Sequence, residues 1–242
     1  MNHPFIKKFD DFCAHCSIKA PFNGRLDFKI IFLDLSFRKL YTKLYEWGCC
    51  KLGRSINFNK EHALNKAMYL FWEKGYDATY ISDLIDTMGI SRSTLYDSFG
   101  DKDELFKQVL EHYKNYGYQK RNLLFSGIST EASLKSFFYQ HIEECYSDDI
   151  PKSCIITNSS LLIGHIDPSI EEILINDFNE LEKVFKQVIE EGKKKGELSQ
   201  EANSELVAYS LLSLNHSINL MSRYKKEKNL AYNLVDKTIA DL

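Results

Sequence analysis

The sequence lacks the long apolar runs that a membrane span requires. The run Ile30-Ile31-Phe32-Leu33 stops after four residues at Asp34, whereas a spanning helix needs about 18 to 20. Asp10 and Asp11 interrupt the N-terminus early, so the chain starts without a secretory pattern. Only 4 Pro and 11 Gly occur in 242 residues, which excludes collagen-like and low-complexity chains. We therefore expect a cytoplasmic globular protein with no membrane partner.

A surplus of basic residues is also missing. Lys and Arg total 31 and Asp and Glu total 34, so the formal net charge is −3. This balance excludes a broadly polybasic coat for nucleic acid but is compatible with a local DNA-reading surface. Hydrophobic residues make up 44% of the chain and charged residues 27%, which is typical of a soluble protein of one or two domains.

Recognisable catalytic motifs are absent as well. The sequence has no nucleophile elbow, no phosphate-binding glycine loop, no His-Glu-x-x-His zinc motif and no carboxylate pair in a known catalytic pattern. We therefore expect neither an enzyme nor a cofactor. A helical enzyme, or a protein-interaction module that binds no DNA, is the alternative interpretation.

Six cysteines lie at positions 13, 16, 49, 50, 145 and 154. A disulfide framework is not expected in a chain of this length without an export signal. Cys13-x-x-Cys16 and the Cys49-Cys50 pair could supply four zinc ligands, but structural zinc sites usually space their paired ligands two to four residues apart. We favour isolated thiols and no bound metal.

The C-terminal part of the sequence repeats apolar residues at helical spacing. After Pro168 they recur in steps of three and four, which keeps one face of a helix apolar. These residues are Ile170, Leu174, Phe178, Leu181, Phe185 and Val188. Asp167 suits the N-cap of this helix, Pro168 its first position, and Gly196 its end. No alternating strand pattern occurs after residue 52, so the predicted fold class is all-α.

Residues 58–106 contain two short helical patterns between two longer ones. The short patterns are joined at Gly89, which permits the left-handed conformation that ends a helix, and at Ser91, which suits an N-cap. Thr79 is predicted to cap the first of them, and the longer fourth helix is predicted to begin near Lys102. Two short helices buttressed on each side in this way describe a helix-turn-helix.

The second short helix has a polar outer face, formed by Arg92, Ser93, Thr94, Tyr96 and Asp97. A DNA major groove is wide enough to admit one α-helix, and such side chains can bond base edges and phosphates. Over residues 57–106, however, five Lys and Arg face nine Asp and Glu. From composition alone, a plain helical hairpin therefore stays open as the alternative.

Four runs in this stretch carry a family resemblance. They are Gly75-Tyr76-Asp77-Ala78-Thr79, Ile81-Ser82-Asp83-Leu84-Ile85, Met88-Gly89-Ile90-Ser91-Arg92-Ser93-Thr94-Leu95-Tyr96 and Phe99-Gly100-Asp101-Lys102-Asp103-Glu104-Leu105-Phe106. Together they resemble the N-terminal DNA-binding domain of the TetR family of transcriptional regulators. The resemblance implies a three-helix helix-turn-helix domain that binds double-stranded DNA. It also implies phosphate contacts by Thr79 and Lys102, and a recognition helix from Ser91 to Tyr96.

The C-terminal part is similar to one subgroup of that family. The run Lys152-Ser153-Cys154-Ile155-Ile156-Thr157-Asn158-Ser159 resembles its Gly-Cys-Leu-hydrophobic-x-Asn segment. The resemblance implies a helical ligand-binding and dimerisation domain. Its last two helices, about 201–224 and 228–242, would pair with those of a second copy in a four-helix interface. The homodimer would then place two recognition helices about one DNA turn apart, or a multiple of it, on a pseudo-palindromic operator.

A small-molecule effector is also implied, because a regulator of this family usually releases DNA when a ligand enters its C-terminal domain. We expect repression rather than activation. Candidate effector contacts are aromatic, imidazole and thiol side chains, for which packing in the core is the alternative. They are Phe137, Phe138, His141, Cys145, Cys154, Phe178, Phe185 and His216. A separate hypothesis makes Cys154, with Lys152 nearby, a reactive thiol that senses oxidants or electrophiles; buried packing is again the alternative.

These patterns predict three segments: an extension over residues 1–51, a DNA-binding domain over 52–106, and a ligand-binding and dimerisation domain over 107–242. Chains of the resembling family commonly begin shortly before the first helix, and the run from Leu52 to Phe58 looks like such a start. We therefore expect residues 1–51 to be a mis-called extension, with translation from a non-AUG codon for Leu52. A real basic arm that adds phosphate contacts is the alternative.

Overall fold

The computed structural model describes residues 59–242, apart from the side chains of Tyr116 and Tyr118. This part of the chain is helical and contains no strand, which confirms the predicted all-α class for these residues. Its α-helices are α1 (Lys60–Lys74), α2 (Ile81–Met88), α3 (Arg92–Phe99), α4 (Lys102–Arg121), α5 (Thr130–Tyr146), α6 (Ile155–Ser159), α7 (Pro168–Lys194), α8 (Ser204–Met221) and α9 (Lys228–Ala240). The expected extension over residues 1–51, with its four cysteines, lies outside the described residues.

Helices α1, α2 and α3 pack with the first turns of α4 around one core, and we call this unit the helix-turn-helix module. The rings of Phe71 and Phe106 lie 4.8 Å apart at its centre. Leu84 of α2 and Leu95 of α3 are fully buried against them. The shared core fixes the angle at which the short helix α3 is presented.

Helix α4 joins this module to the rest of the protein. Its 20 residues run from Lys102 to Arg121 without a break, so it crosses the predicted boundary between residues 106 and 107. The described residues all belong to one compact unit that begins at Asn57. The same continuous helix therefore contributes to the helix-turn-helix module and to the rest of the described chain.

Helices α5, α7, α8 and α9 surround a second core. Phe138 and Phe185 are fully buried and stack with their rings 5.7 Å apart. Asp167 caps α7 as predicted by accepting a hydrogen bond from the Ser169 N–H at 2.9 Å. Gly196, at φ +74°, lies just beyond the end of α7. Helices α8 and α9 are slightly shorter than the predicted 201–224 and 228–242, and none of the helices described is long and apolar enough to cross a membrane.

Candidate DNA-binding surface and effector cavity

Helix α3, the predicted recognition helix, begins at a well-formed cap. The Ser91 hydroxyl accepts a hydrogen bond from the Thr94 N–H at 3.1 Å. Just before it, Gly89 adopts φ +72°, the left-handed conformation that ends α2. Leu95 and Phe99 are buried beneath α3, so its opposite face points away from the module core. The predicted turn, cap and buried face are confirmed.

The C-terminal end of α3 is held by side chains from two other helices. Lys60 of α1 donates from Nζ to the Ser98 carbonyl at 2.8 Å. Gln108 of α4 donates from Nε2 to the Phe99 carbonyl at 2.9 Å. Carbonyls at a helix C-terminus lack intrahelical partners, and a cation there is also favoured by the helix dipole. Sequence reasoning missed the Lys60 contact because only the fold brings residues 38 positions apart together.

The outward face of α3 carries polar groups that the rest of the protein leaves available. Arg92, Ser93 and Tyr96 are exposed. Within residues 59–242, no hydrogen bond or ion pair engages the Arg92 guanidinium. The hydroxyls of Ser93 and Thr94 lie 2.9 and 2.8 Å from that of Ser91, so three hydroxyls gather at the N-terminal end of α3. Such groups at a helix N-terminus suit contacts with phosphates and base edges.

Thr79 does not have the role that we predicted from the sequence. Helix α2 begins one residue later than expected, with Tyr80 as its N-cap. Thr79 is fully buried, and its hydroxyl donates to the Gly75 carbonyl at 2.7 Å. The predicted phosphate contact by Thr79 is therefore wrong for this side chain, which stabilises the turn after α1. Tyr80, which is 67% exposed, is the neighbouring side chain that this turn presents to solvent.

Lys102 lies in the first turn of α4, as predicted, and is held against an aromatic ring. Its Nζ lies 4.2 Å from the centroid of the Tyr76 ring, a cation–π contact. Tyr76 in turn donates its hydroxyl to Asp103. Partial burial lowers the pKa of Lys102, and burial together with the Asp103 bond raises the pKa of Tyr76. These contacts position the ammonium group beside the start of α4.

Two acidic residues of the helix-turn-helix module have structural partners at the ends of helices. The Lys74 Nζ lies 2.9 Å from the Asp83 carboxylate and ties α1 to α2. Asp101 caps α4 by accepting from the Glu104 N–H at 3.0 Å. The acidic surplus of the module is therefore partly engaged in structural contacts at the ends of helices.

A second candidate site is a small cavity of about 60 Å³ bordered by α4, α5, α6, α7 and α8. Five of the predicted effector contacts line it: Phe137, His141, Cys154, Phe178 and His216. The sequence did not single out several other lining residues, which include Tyr113, Gly117, Lys120, Arg121, Thr157 and Asp177. Four of these residues lie on α4, Thr157 lies on α6 and Asp177 on α7, so only the packing of three separate helices brings them together.

Three of the predicted effector contacts do not line this cavity. Phe138 and Phe185 instead stack on each other in the second core. Cys145 is 2% exposed, and its thiol donates to the Asn219 side-chain carbonyl at 3.2 Å. For these three residues the structure supports the packing alternative.

Charged groups surround the cavity in pairs. Lys120 Nζ lies 2.6 Å from the Glu144 carboxylate and donates to Nδ1 of His141 at 3.1 Å. Burial and the nearby Lys120 charge lower the pKa of His141 well below its usual value, so the imidazole is neutral. On the same helix α4, Arg121 Nη2 lies 2.6 Å from the buried Asp177 carboxylate. Among the described residues, no cluster of acidic, histidine and cysteine side chains is arranged to hold a metal ion.

A chain of hydrogen bonds connects the second core to the cavity. Asn219 donates from Nδ2 to the Thr157 hydroxyl at 3.1 Å, and that hydroxyl lies 3.3 Å from Nδ1 of His216. Burial lowers the pKa of His216, which favours the neutral ring. The His216 ring also packs edge-on against Phe178, with centroids 4.9 Å apart.

The structure does not support the hypothesis that Lys152 activates Cys154 as a reactive thiol. Lys152 Nζ donates to the carbonyls of Tyr146 and Ser147 at 3.1 and 2.6 Å, so the ammonium group closes the end of α5. Burial also raises the pKa of the second thiol, Cys145, to about 12. A thiol reacts as its thiolate, so these surroundings do not favour Cys145 as a redox partner of Cys154.

A cluster of contacts links the cavity wall to the helix-turn-helix module. The Trp72 indole of α1 donates from Nε1 to the Ser153 carbonyl at 3.2 Å. The same indole meets the Tyr113 ring edge-on at 5.0 Å, and both Tyr113 and Cys154 line the cavity. Ser153 has φ +73°, and its buried hydroxyl has no hydrogen-bond partner. Strain is therefore concentrated where α1 touches the segment before α6.

Helices α8 and α9 and the turn between them expose apolar side chains. These are Leu206, Tyr209, Leu220, Met221, Tyr224, Leu230 and Leu234, each 37% to 62% exposed. Contiguous exposed apolar surface on a globular protein is characteristic of a protein–protein interface. Contacts with α5 hold α9 in place, since Tyr139 donates to Asp236 at 2.6 Å and Tyr232 donates to Glu143.

Two family matches cover the helix-turn-helix module and most of the remaining helices. Residues 63–109 match the bacterial regulatory proteins of the tetR family, and residues 132–235 match the tetracyclin repressor-like C-terminal domain. The transcriptional repressor ComR of Escherichia coli is 30% identical over 148 residues, which is 60% of this chain and 70% of ComR. The uncharacterised regulator YezE of Bacillus subtilis is 26% identical over 194 residues, 79% of this chain and 92% of YezE.

Solved structures share the same fold. A cysteine mutant of the TetR family regulator CifR, in complex with 26-bp operator DNA, superposes with a TM-score of 0.71 at 22% identity. The match covers 77% of this chain and 98% of CifR. The reduced form of NemR from E. coli superposes at 0.64 with 17% identity, over 75% of this chain and 93% of NemR. Together with the family matches and the resemblance to ComR, these findings show that the chain belongs to the TetR family of bacterial transcriptional regulators.

Proposed function

We propose that this regulator is a repressor that binds a pseudo-palindromic operator as a homodimer and releases it when a small molecule enters the cavity beside α4. The observation that carries the proposal is the outward face of α3. Its guanidinium and hydroxyl groups are exposed, while its two ends are fixed by the Ser91 cap and by Lys60 and Gln108. A rigid helix with available donors is suited to a major groove. Because bacterial DNA lies in the cytoplasm, the protein would act there.

The proposed DNA contacts come from three places in the module. From α3 and its cap they are Ser91, Arg92, Ser93, Thr94 and Tyr96. Arg92 can bond a guanine or a phosphate through its guanidinium, and the hydroxyls can bond base edges or phosphates. Lys102 contributes a phosphate contact from the start of α4, and the exposed Tyr80 replaces Thr79 at the start of α2.

The proposed homodimer uses the apolar face of α8 and α9. Exposed side chains such as Leu206, Tyr209 and Leu230 would be buried between two copies, which removes apolar surface from water. A two-fold axis brings the same helices of both copies together as a four-helix interface. The two α3 helices can then read half-sites about one DNA turn apart or a multiple of it.

The proposed release is a population shift. Ligand sites usually enclose roughly 300 to 1,000 Å³, whereas this cavity holds about 60 Å³. A ligand therefore binds best to a conformation in which α4 has moved outward, and that difference in affinity shifts the dimer away from DNA. Since α4 runs from the cavity to Lys102, the same movement displaces the helix-turn-helix module.

Repression is supported by relatives. ComR is named a transcriptional repressor, and the CifR structure contains operator DNA. The sequence match covers 70% of ComR, and the structural match covers 98% of CifR. We infer the same direction of control here, without turnover of the effector.

The test is a mobility-shift assay with the DNA upstream of the protein's own coding region. We expect the purified dimer to shift this fragment, and Arg92→Ala to weaken binding by about 1–3 kcal/mol if the contact is bidentate. Lys194→Ala, at an exposed lysine in the last turn of α7, is the matched control and should bind like the parent. A monomeric protein that shifts no fragment from its genomic neighbourhood would contradict the proposal, and an unchanged Arg92→Ala affinity would remove Arg92 from the site.

A further inference from the structure

A second hollow lies next to the cavity, on the outer side of α4. It is a groove of about 480 Å³ between α7 and the end of α4 with the short helical turn that follows it. Its walls include Lys114, Arg121, Phe125, Glu180 and Val184. The groove thus has roughly the volume of a small-molecule site, whereas the cavity beside it does not.

Arg121 separates the two hollows. One guanidinium nitrogen, Nη2, lies 2.6 Å from Asp177, which lines the cavity, and the other, Nη1, lies 3.6 Å from Glu180, which lines the groove. Arg121 itself lines both hollows. We call these three residues the Arg121 latch.

The groove side of the latch is loosely bonded. The Glu180 carboxylate is shared by Arg121 and Lys114, each at 3.6 Å, which is too long for a hydrogen bond. The Glu180 side chain is also half exposed, whereas that of Asp177 is buried. An incoming anion can therefore replace Glu180 on Arg121 without breaking the buried pair.

The cavity side of the Arg121 latch has room for part of a ligand, beside Gly117. Gly117 lies one turn from both Lys114 and Arg121 on α4 and lines the cavity. A Cβ atom added at Gly117 meets nothing within 4 Å. The unfilled glycine position therefore provides room for the body of a ligand.

The lining of the cavity carries more cations than carboxylates. Its cations are Lys114, Lys120 and Arg121, and its carboxylate is Asp177, which already pairs with Arg121. The apolar walls are aromatic, from Phe137 and Phe178. An aromatic-sized molecule with an acidic group satisfies both features.

We propose that the groove and the cavity are the entrance and the inner chamber of one effector site, and that the effector is an aromatic-sized anion that enters by displacing Glu180 from the Arg121 latch. The anionic group then bonds Arg121, and the apolar body occupies the space beside Gly117. The role of this site in regulation rests on the proposed function, because outward movement of α4 at Arg121 matters to DNA only if the module at its other end binds DNA.

The test uses two fluorescent probes with the same aromatic body and different charge. Anilinonaphthalene sulfonate carries an anionic group, and phenylnaphthylamine lacks it. We expect the full-length dimer to bind the anionic probe roughly tenfold more tightly, the difference expected for one charge-assisted hydrogen bond. Fluorescence titration measures both affinities.

Four variants locate the binding. Arg121→Gln combined with Asp177→Asn removes the cation without leaving a buried charge unpaired, and should abolish the preference for the anionic probe. Gly117→Leu fills the inner space and should weaken both probes by roughly tenfold, whereas Gly117→Ala should weaken them less. Glu180→Gln removes the competing carboxylate at an exposed position and should tighten the anionic probe alone. Circular dichroism checks that each variant is folded.

The proposal is overturned if the two probes bind the parent equally, if Gly117→Leu leaves both affinities unchanged, or if Glu180→Gln weakens the anionic probe. Should the double variant fail to fold, Glu180→Gln and Gly117→Leu still decide the outcome. The same preparations are tested for DNA binding in parallel. If the probes bind as expected but no DNA fragment is shifted, the repressor proposal is contradicted and the proposed effector site is still supported. If DNA is shifted but the probes do not bind as expected, the effector site is contradicted and the repressor proposal is still supported.

Discussion

The helix-turn-helix module and the effector cavity are stabilised by contacts of different range. In the module, Ser91 caps α3 through a residue three positions away, and Asp101 caps α4 in the same way. Around the cavity, Arg121 bonds Asp177 across 56 positions. Local contacts need little more than the right residue at the right spacing, whereas the cavity exists only once several helices have packed. The module is therefore expected to tolerate single changes that the cavity does not.

The largest effect is expected from the buried half of the Arg121 latch. Asp177→Ala leaves a largely buried guanidinium without its close partner and should lower the free energy of unfolding by about 3 kcal/mol. Glu180→Ala removes a carboxylate from the same cation at an exposed position and should cost at most about 1 kcal/mol. Urea unfolding of both variants checks the ratio, and equal losses would show that the two halves of the latch do not differ as argued.

Much of the module could be predicted because its signals are short. The Gly89 turn, the Ser91 cap and the buried pair Leu95 and Phe99 follow from residue type and spacing, and the structure confirms them. Thr79 shows the limit of this approach. Threonine is a favoured N-cap, yet here its hydroxyl bonds the Gly75 carbonyl and the helix starts after Tyr80.

The cavity was only half predictable. Aromatic and imidazole residues drew attention by type, and Phe137, Phe178 and His216 do line the cavity. Phe138 and Phe185 are also aromatic, but they stack on each other in the second core. Only the packing of α5 against α7 determines this, so the sequence could not predict it. No sequence pattern indicates Gly117 or Asp177, because their place in the cavity lining depends on which helices pack against α4 and α7.

The junction between the two regions offers a change that should increase stability. Ser153 occupies the glycine position of the resembling segment, with φ +73° and a buried hydroxyl that has no partner. Ser153→Gly relieves the backbone strain and removes the unpaired group, so we expect a gain of about 1–2 kcal/mol in unfolding free energy. The Trp72 bond is kept, since it goes to the Ser153 carbonyl.

Ser153→Ala separates the two causes, because it removes the hydroxyl and keeps the strained conformation. It should recover only part of the gain. If Ser153→Gly proves destabilising in thermal melts, the argument that the backbone at this junction is strained is wrong.

A smaller and purely local loss is expected at the turn of the module. A Cβ added at Gly89 meets nothing within 4 Å, so the only penalty for Gly89→Ala is the left-handed backbone at φ +72°. That conformation costs a residue with a side chain about 1 kcal/mol. Gly117→Ala is the matched control, because it also adds a Cβ in open space but at helical φ and ψ, and it should stabilise the chain slightly. Equal effects of the two changes in urea unfolding would contradict this account.

The smallest effect is expected at Lys60, which tests whether the module depends on any distant contact at all. Lys60→Met keeps an unbranched side chain near the Phe99 ring, 5.0 Å away, and removes the ammonium that bonds the Ser98 carbonyl. Because the group is exposed, the loss in unfolding free energy should stay near 0.5 kcal/mol. Lys66→Met on the same helix is the control and should lose less. If Lys60→Met instead destabilises the protein as much as Asp177→Ala does, the module is not locally stabilised, and the contrast between the two regions fails.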